Sequence, residues 1–152
     1  MNRRDLIRMT EEEVRAFLEE GHTLQVATIG GDGFPHLVAM WYVLVDGEVA
    51  FWTYAKSQKV VNLRRDSRLA CLIEAGKRYD ELRGVQIKGR GVISDDRAIV
   101  QQVGEEIWKR YTGPLDESAR QAVSIQGAKR VVIFVRPSEV VSWDHRKLGG
   151  AY

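Results

Sequence analysis

The sequence contains very little cysteine and no long hydrophobic run. Its single cysteine, Cys71, excludes an internal disulfide framework. Cys71 lies in the apolar run Leu69–Ile73, which predicts a small buried core residue. The N-terminus lacks the apolar run of a signal peptide, and no stretch is long enough to cross a membrane. We therefore expect a cytoplasmic protein with no membrane partner.

Charge of one sign is also scarce. The formal net charge is +2, from 23 basic and 21 acidic residues, which is too small to indicate a nucleic-acid partner. The hydrophobic share of 44% and the charged share of 29% are those of an ordinary globular protein. A chain of 152 residues suits one domain. We expect a single domain over residues 1–152, with a short flexible N-terminus at 1–8 and a C-terminal tail at 145–152.

Motifs for several common chemistries are missing. The chain has no Gly-x-Gly-x-x-Gly sequence and no Walker lysine loop. The histidines His22, His36 and His145 are far apart and lack metal-ligand spacing, so we expect no metal site. Ser142, Asp144 and His145 are sequence neighbours, and side chains so close along one strand or turn do not readily converge into a triad. We therefore expect no catalytic nucleophile.

One strand-to-helix junction is the most informative part of the sequence. Phe51–Thr53 predicts a strand that leads through a short loop into a helix at about Gln58–Arg65. Lys56 and Lys59 stand where this helix begins, with Ser57 between them. A helix N-terminus disfavours cations, but it favours a bound phosphate. These residues alone leave both a solvated charged turn and a phosphate site open.

The rest of the chain predicts many short strands. Thr10–Glu13 has the form of a helix capping box, and Gly30–Gly33 and Asp46–Gly47 predict turns. Pro35–Val45 is apolar almost throughout and predicts one long strand with both faces covered. Further strands are expected at Thr23–Ile29, Glu48–Thr53, Arg68–Glu74, Val85–Val92 and Arg130–Val135, and Val140–Trp143 is expected to extend the sheet past Pro137. Further helices are expected after Ser94–Asp96 and over Asp116–Ile125. The pattern predicts an α+β, mainly β fold, a barrel or sandwich of about six antiparallel strands with peripheral helices.

The order of these motifs resembles a known family. Ala27–His36 carries the glycine turn. The sequence Thr-x-x-Lys-Ser-x-Lys follows the Asp46–Gly47 hairpin, and Asn62–Arg68 covers the end of the helix after it. This arrangement resembles the pyridoxamine 5′-phosphate oxidase-related, split β-barrel flavin-binding proteins, and most closely their flavin/deazaflavin oxidoreductases. Trp108–Pro114 and Ser142–Gly149 are similar to segments of members that use the deazaflavin coenzyme F420. The resemblance runs from about Met9 to about Trp143 and implies a split β-barrel.

The resemblance implies a role for particular residues. It places a cofactor phosphate on hydroxyl and basic groups at the strand-to-helix junction, and the cofactor ring against the backbone of the long strand. Asn62 matches a helix position that faces the cofactor, and Gln58 replaces an arginine that the oxidase branch has beside the phosphate. The implied cofactor-binding residues are Thr53, Lys56, Ser57, Lys59, Asn62, Ala39, Met40 and Trp41.

Two further groups of residues are weaker candidates. Trp143 and Arg146 are similar to a late tryptophan and arginine that close the site in the oxidase branch, although their spacing differs. Arg64, Arg65 and Arg68 would suit a polyglutamyl cofactor tail, and a solvated helix face explains them equally well. The family resemblance also implies a homodimer with the cofactor at the subunit interface.

These implications give one expected function and two alternatives. The expected function is an oxidoreductase that binds coenzyme F420 and transfers a hydride from the reduced deazaflavin to a small conjugated acceptor. The first alternative keeps the fold and binds FMN. The second is a non-catalytic protein that binds a flavin, haem or another tetrapyrrole. A cofactor that carries the hydride needs no side-chain acid or base, which agrees with the missing catalytic motifs.

Overall fold

The computed structural model describes residues 2–150. Within that range it contains seven strands and five α-helices. The strands are β1 (Leu24–Ile29), β2 (Pro35–Met40), β3 (Val43–Val45), β4 (Glu48–Tyr54), β5 (Arg68–Ala75), β6 (Arg83–Ser94) and β7 (Arg130–Asp144). The helices are α1 (Arg3–Ile7), α2 (Glu11–Glu20), α3 (Gln58–Arg65), α4 (Arg97–Tyr111) and α5 (Glu117–Gly127), with 3₁₀ turns at Tyr79–Glu81 and His145–Leu148.

All seven strands form one antiparallel sheet in the order β2-β1-β5-β6-β7-β4-β3. Strands β2 and β3 lie at opposite edges of this order, yet only Trp41 and Tyr42 separate them along the chain. The chain from Met40 to Val43 spans at most about 11 Å, so the sheet must curl until its edges meet. The fold is therefore a split β-barrel, α+β and mainly β, as the resemblance implied.

Two apolar clusters stabilise the barrel. The larger one fills its interior, where Leu24, Phe51 and Ile133 are 0% exposed. Cys71 belongs to it, as predicted, and burial raises the pKa of its thiol to about 12. The second cluster packs α4 against the outer face of the sheet, and its buried members are Val43, Ala50, Val100, Val103, Ile107 and Val132.

Local sequence signals account for several element boundaries. The hydroxyl of Thr10 accepts from the Glu13 N–H, and the Glu13 carboxylate accepts from the Thr10 N–H, so the predicted capping box begins α2. Asp46 and Gly47 both have positive φ, 50° and 82°, as a two-residue hairpin turn requires. Helix α3 has the predicted bounds.

The segment Pro35–Val45, expected as one long strand, is broken between β2 and β3. Tyr42 turns into the core, where its hydroxyl donates to the Leu18 carbonyl at 2.5 Å, while Trp41 stays 48% exposed. The expectation that both faces are covered is also wrong for the chain by itself. Because β2 is an edge strand, its alternate residues are exposed, and Leu37 reaches 66%.

Other expectations need smaller changes. The sheet has seven strands, because the break adds one, and β7 continues through Pro137, where its register with β6 shifts at Gly89. Residues 3–7, within the segment expected to be flexible, form α1 against the 3₁₀ turn after β7. No helix in residues 2–150 is both long and apolar enough to cross a membrane.

Candidate cofactor site

A cleft of about 480 Å³ opens where the two edges of the sheet meet. Its walls come from the end of β2, from β4, from the first residue of β7, and from α3 and α4. The residues that line it are Thr23, Ala39, Met40, Trp41, Trp52, Thr53, Tyr54, Lys59, Ile107 and Arg130. Two of these residues are cations and none is an acid. The cleft is therefore suited to an anionic ligand.

Lys59 is buried at the inner end of this cleft. Its side chain is 8% exposed, and its Nζ donates to the Thr53 hydroxyl at 2.9 Å. Burial lowers the pKa of Lys59. Within residues 2–150 no carboxylate lies within 4.0 Å of this ammonium group. The group keeps donor capacity that a phosphate oxygen would satisfy. A solvated charged turn is therefore wrong for Lys59, because α3 directs its side chain inward.

Two hydroxyl groups extend the polar end of the cleft. Ser57 occupies the N-cap position of α3, but its side chain makes no capping hydrogen bond. Its Oγ lies 3.4 Å from the hydroxyl oxygen of Thr53. The first backbone N–H groups of a helix have no partner within the helix, so this end of α3 presents amides next to Lys59. Hydroxyls, amides and an ammonium group together provide donors for a phosphate.

The opposite wall of the cleft is apolar and firmly held. Ala39, Met40 and Trp41 form it, at the end of β2. The indole of Trp41 stacks on the ring of Tyr111, with centroids 4.6 Å apart and planes 4° apart. The Tyr111 hydroxyl accepts from the Tyr42 N–H at 3.1 Å and lies 2.8 Å from the His22 carbonyl. Helix α4 therefore fixes the position of this wall.

Three predicted residues, Ser57, Lys56 and Asn62, lie outside the lining of the cleft. Lys56 is exposed in the loop before α3. Asn62 is 0% exposed, and its amide donates to the Thr28 hydroxyl at 3.0 Å while its carbonyl accepts from Gln58 at 2.8 Å. These contacts connect α3 to β1. The structure therefore brings Thr53, Lys59 and the wall residues together in the cleft. Ser57 lies next to Thr53, and Asn62 supports α3 from outside the lining.

Sequence reasoning missed several residues of the cleft. Arg130 is the most important, because its guanidinium lies 4.6 Å from the ring centroids of both Trp52 and Tyr54. Arg130 begins β7 and pairs with Tyr54 at the end of β4. Strand pairing between segments so distant in sequence carries no local signal. Trp52 and Thr53 alternate along β4, yet both line the cleft, which alternation by itself does not predict.

The weaker candidates have partners elsewhere. Arg146 forms a bidentate pair with Asp144, with an Nη2–Oδ2 distance of 2.7 Å, and this lowers the pKa of the carboxyl. Trp143 lines a different groove, between the N-terminal residues and the second half of β7. Arg68 pairs with Asp66 at 2.6 Å and holds the pKa of that carboxyl at about 2. None of these arginines lines the cleft.

The fold and the site define a class of protein. This split β-barrel has a cationic cleft at a strand-to-helix junction, with donors suited to a phosphate-bearing ligand. A model of the pyridoxamine 5′-phosphate oxidase family matches residues 10–144. The chain therefore belongs to this family.

Particular relatives support the same placement. The chain is 28% identical over 117 residues to an F420H(2)-dependent biliverdin reductase from Mycobacterium tuberculosis, which covers 76% of this chain and 82% of that protein. It is 44% identical to a solved conserved hypothetical protein from the same organism, with a TM-score of 0.94 over 100% of this chain and 95% of that one. A solved F420 reductase is 26% identical, with a TM-score of 0.67 over 83% of this chain and 94% of that one.

Proposed function

We propose that this protein is an oxidoreductase that binds coenzyme F420 and uses it to reduce a small conjugated acceptor. The observation that carries the proposal is the buried ammonium group of Lys59, which has a hydroxyl partner but no counter-charge. A buried cation without an anion is costly, so such a site fits a ligand that brings one. The named activity of the relatives supports a deazaflavin as the source of that anion.

The polar end of the cleft would hold the cofactor phosphate. Lys59 would give it a charge-assisted hydrogen bond, Thr53 and Ser57 would add hydroxyl donors, and the first amides of α3 would complete the contact. Lys56, exposed at the rim, would add long-range attraction. Asn62 would act indirectly, because its hydrogen bond to Thr28 fixes the position of α3.

The apolar end of the cleft would orient the reacting ring. Ala39, Met40 and Trp41 would form one wall and exclude water from it. When bound, the reduced deazaflavin supplies the hydride, and the protein supplies binding, orientation and electrostatics. The lining contains no carboxylate and no histidine, so these side chains would chiefly bind and orient the reactants.

The exposed face of β2 supports a homodimer. Phe34, Leu37 and Trp41 are 75%, 66% and 48% exposed and lie on or next to this edge strand. Trp41 belongs both to this apolar face and to the cleft wall. A second copy packed on the face would bury these side chains and would close the cleft from outside. The cofactor would then lie at the subunit interface.

Titration of the purified protein with coenzyme F420 and with FMN tests this function. We expect F420 to bind more tightly than FMN, and we expect reduced F420 to be oxidised when a conjugated acceptor such as biliverdin is added. Tight FMN binding without an F420 response would replace the proposal with the FMN alternative. F420 binding without turnover by any acceptor would favour a binding protein over an enzyme.

A further inference from the structure

We propose that a side chamber of the cleft is the acceptor site and that it takes a flat, conjugated carboxylate, held by Arg130. This inference rests on the proposed function, since it assigns the second reactant of the same site. The chamber has a volume of about 290 Å³ and lies against α4. Trp41, Trp52, Ile107 and Arg130 line both the chamber and the cleft. A molecule in the chamber would therefore adjoin a ring bound in the cleft.

The walls of the chamber suit a flat molecule. Three of the four tryptophans of the chain, Trp41, Trp52 and Trp108, line it. Aromatic walls favour planar π-systems through stacking and edge contacts. The side chains on two of these walls are also fixed in place. Trp41 stacks on Tyr111, and Trp52 lies against α4 at Gly104, where an added Cβ would come within 2.5 Å of the indole ring.

Arg130 gives the chamber its charge. Its guanidinium stacks on Trp52 and Tyr54, and its side chain has one hydrogen bond, to Gln126 at 3.4 Å. Across residues 2–150, no carboxylate forms an ion pair with it, whereas Arg136 on the same strand pairs with Glu48 at 3.0 Å. Stacking on two rings leaves the edge of the guanidinium free except for the long hydrogen bond to Gln126. That edge is the part that binds a carboxylate through two parallel hydrogen bonds.

The two cations of the cleft suit different anions, a phosphate at Lys59 and a carboxylate at Arg130. Lys59 lies at the polar end with the Thr53 hydroxyl, which suits the phosphate of a cofactor. Arg130 lies among aromatic rings, which suits a carboxylate attached to a conjugated system. A neutral conjugated molecule would stack equally well but would leave Arg130 without an anion. Charge therefore distinguishes the preferred acceptors from neutral molecules of the same shape.

A binding experiment on the protein without cofactor tests this assignment. Cinnamate is the probe, cinnamyl alcohol is its neutral counterpart, and both are titrated while the indole N–H signals are followed by NMR. We expect cinnamate to move signals of the chamber tryptophans and to leave Trp143 unmoved, since Trp143 lines another groove. The alcohol should bind about tenfold more weakly, because it lacks the charge-assisted hydrogen bonds.

Variants then assign the charge to one residue. Arg130→Gln should weaken cinnamate binding about tenfold and leave cinnamyl alcohol binding unchanged. Arg130→Lys keeps the charge but not the planar guanidinium. Its affinity for cinnamate should therefore lie between those of the unmodified protein and Arg130→Gln. Arg136→Gln removes the same charge from the same strand outside the chamber and should have no effect. Equal binding of cinnamate and its alcohol, or full binding by a folded Arg130→Gln, would overturn the assignment.

Two further measurements separate this inference from the proposed function. Saturating inorganic phosphate should leave cinnamate bound, since Lys59 and Arg130 serve different anions; displacement of cinnamate would refute a separate site. If F420 binds and cinnamate does not, only the chamber assignment fails. If cinnamate binds through Arg130 and F420 does not bind, the chamber remains and the cofactor proposal fails.

Discussion

The ammonium nitrogen of Lys59 lies 2.9 Å from the hydroxyl oxygen of Thr53, in a position where the lysine is 8% exposed. This hydrogen bond satisfies one donor of a cation that burial has separated from water. A neutral hydroxyl compensates only part of that lost hydration. The chain therefore maintains a costly group at the site where an anion would stabilise it, as is common where stability and function compete.

Replacing Lys59 with methionine should stabilise the protein and weaken its ligand binding. Lys59→Met removes the buried charge and keeps the length of the side chain, so we expect the melting temperature without ligand to rise by about 2–4 °C, or about 1 kcal/mol. Affinity for the phosphate-bearing cofactor should fall about tenfold or more. Calorimetry measures both effects. Lys56→Met, at an exposed position, is the control. It should change neither the melting temperature nor the cofactor affinity strongly.

The stability gain of Lys59→Met should also depend on pH. Burial lowers the pKa of Lys59 below its ordinary value of 10.5. In the pH interval between the lowered pKa and 10.5, the unfolded state therefore binds more protons than the folded state. The stability of the unmodified protein therefore rises with pH through this interval. The difference between the two proteins should shrink as the pH approaches 10.5, and a constant difference would contradict the buried-charge explanation.

Gly104 and Gly127 should respond differently to alanine, although both face Trp52. A Cβ at Gly104 would lie 2.5 Å from the indole and 2.7 Å from Val123, whereas one at Gly127 would lie 3.4 Å from the indole. Overpacking of about 1–3 kcal/mol at Gly104 should exceed the helix-propensity gain of about 1 kcal/mol. Urea unfolding should show Gly104→Ala less stable and Gly127→Ala nearly unchanged. Equal effects would count against this packing.

Asn62 should contribute to stability more than to direct cofactor contact. Asn62→Leu leaves the buried Thr28 hydroxyl without its donor, so we expect a loss of about 1–3 kcal/mol in the free energy of unfolding. The double variant Thr28→Val/Asn62→Leu should recover part of it, because both partners are then apolar. Cofactor affinity of the folded variant should stay within a few-fold. A loss as large as that of Lys59→Met would place Asn62 in contact with the cofactor.

Tyr42 should make the protein less stable in alkali. Burial raises the pKa of its hydroxyl from 10.0 to about 12, so between these values the folded state keeps a proton that the unfolded state releases. Stability therefore falls as the pH rises from about 10 to about 12, by on the order of 1–3 kcal/mol. Denaturant unfolding across this range should show that decline. Tyr42→Phe should be less stable at neutral pH, but its own decline should be smaller.

The face of β2 should control the oligomeric state. We expect a dimer by analytical ultracentrifugation, and we expect Leu37→Glu to produce a monomer by placing a charge on the apolar face. Ile125→Glu, on α5 and 77% exposed, is a matched control that should remain dimeric. A monomeric unmodified protein would remove the basis for a shared cofactor site.

Local signals predicted local structure well. The capping box at Thr10, the hairpin at Asp46 and Gly47 and the bounds of α3 follow from side chains that act within a few residues. The predicted wall residues and Lys59 do meet in one cleft. The sequence pattern, with its family resemblance, therefore predicted residues that the structure brings together, and their contact with a cofactor stays a prediction.

What escaped prediction depends on distant parts of the chain. After Pro35 the apolar run to Val45 has no glycine or proline to indicate a break at Trp41 and Tyr42. The break forms because Tyr42 packs beneath Arg110 and bonds to Leu18. Arg130 reaches the cleft only because β7 pairs with β4. The burial of Lys59 was equally invisible, since lysines at turns are mostly exposed.

The short link between β2 and β3 also limits how the molecule can move. Trp41 and Tyr42 connect the two edges of the sheet, so at this end the cleft cannot widen without breaking the stack on Tyr111 or withdrawing Tyr42 from the core. The link holds the two edges of the sheet together. Capture of a ligand should therefore need side-chain adjustment around the cleft more than any separation of the barrel halves.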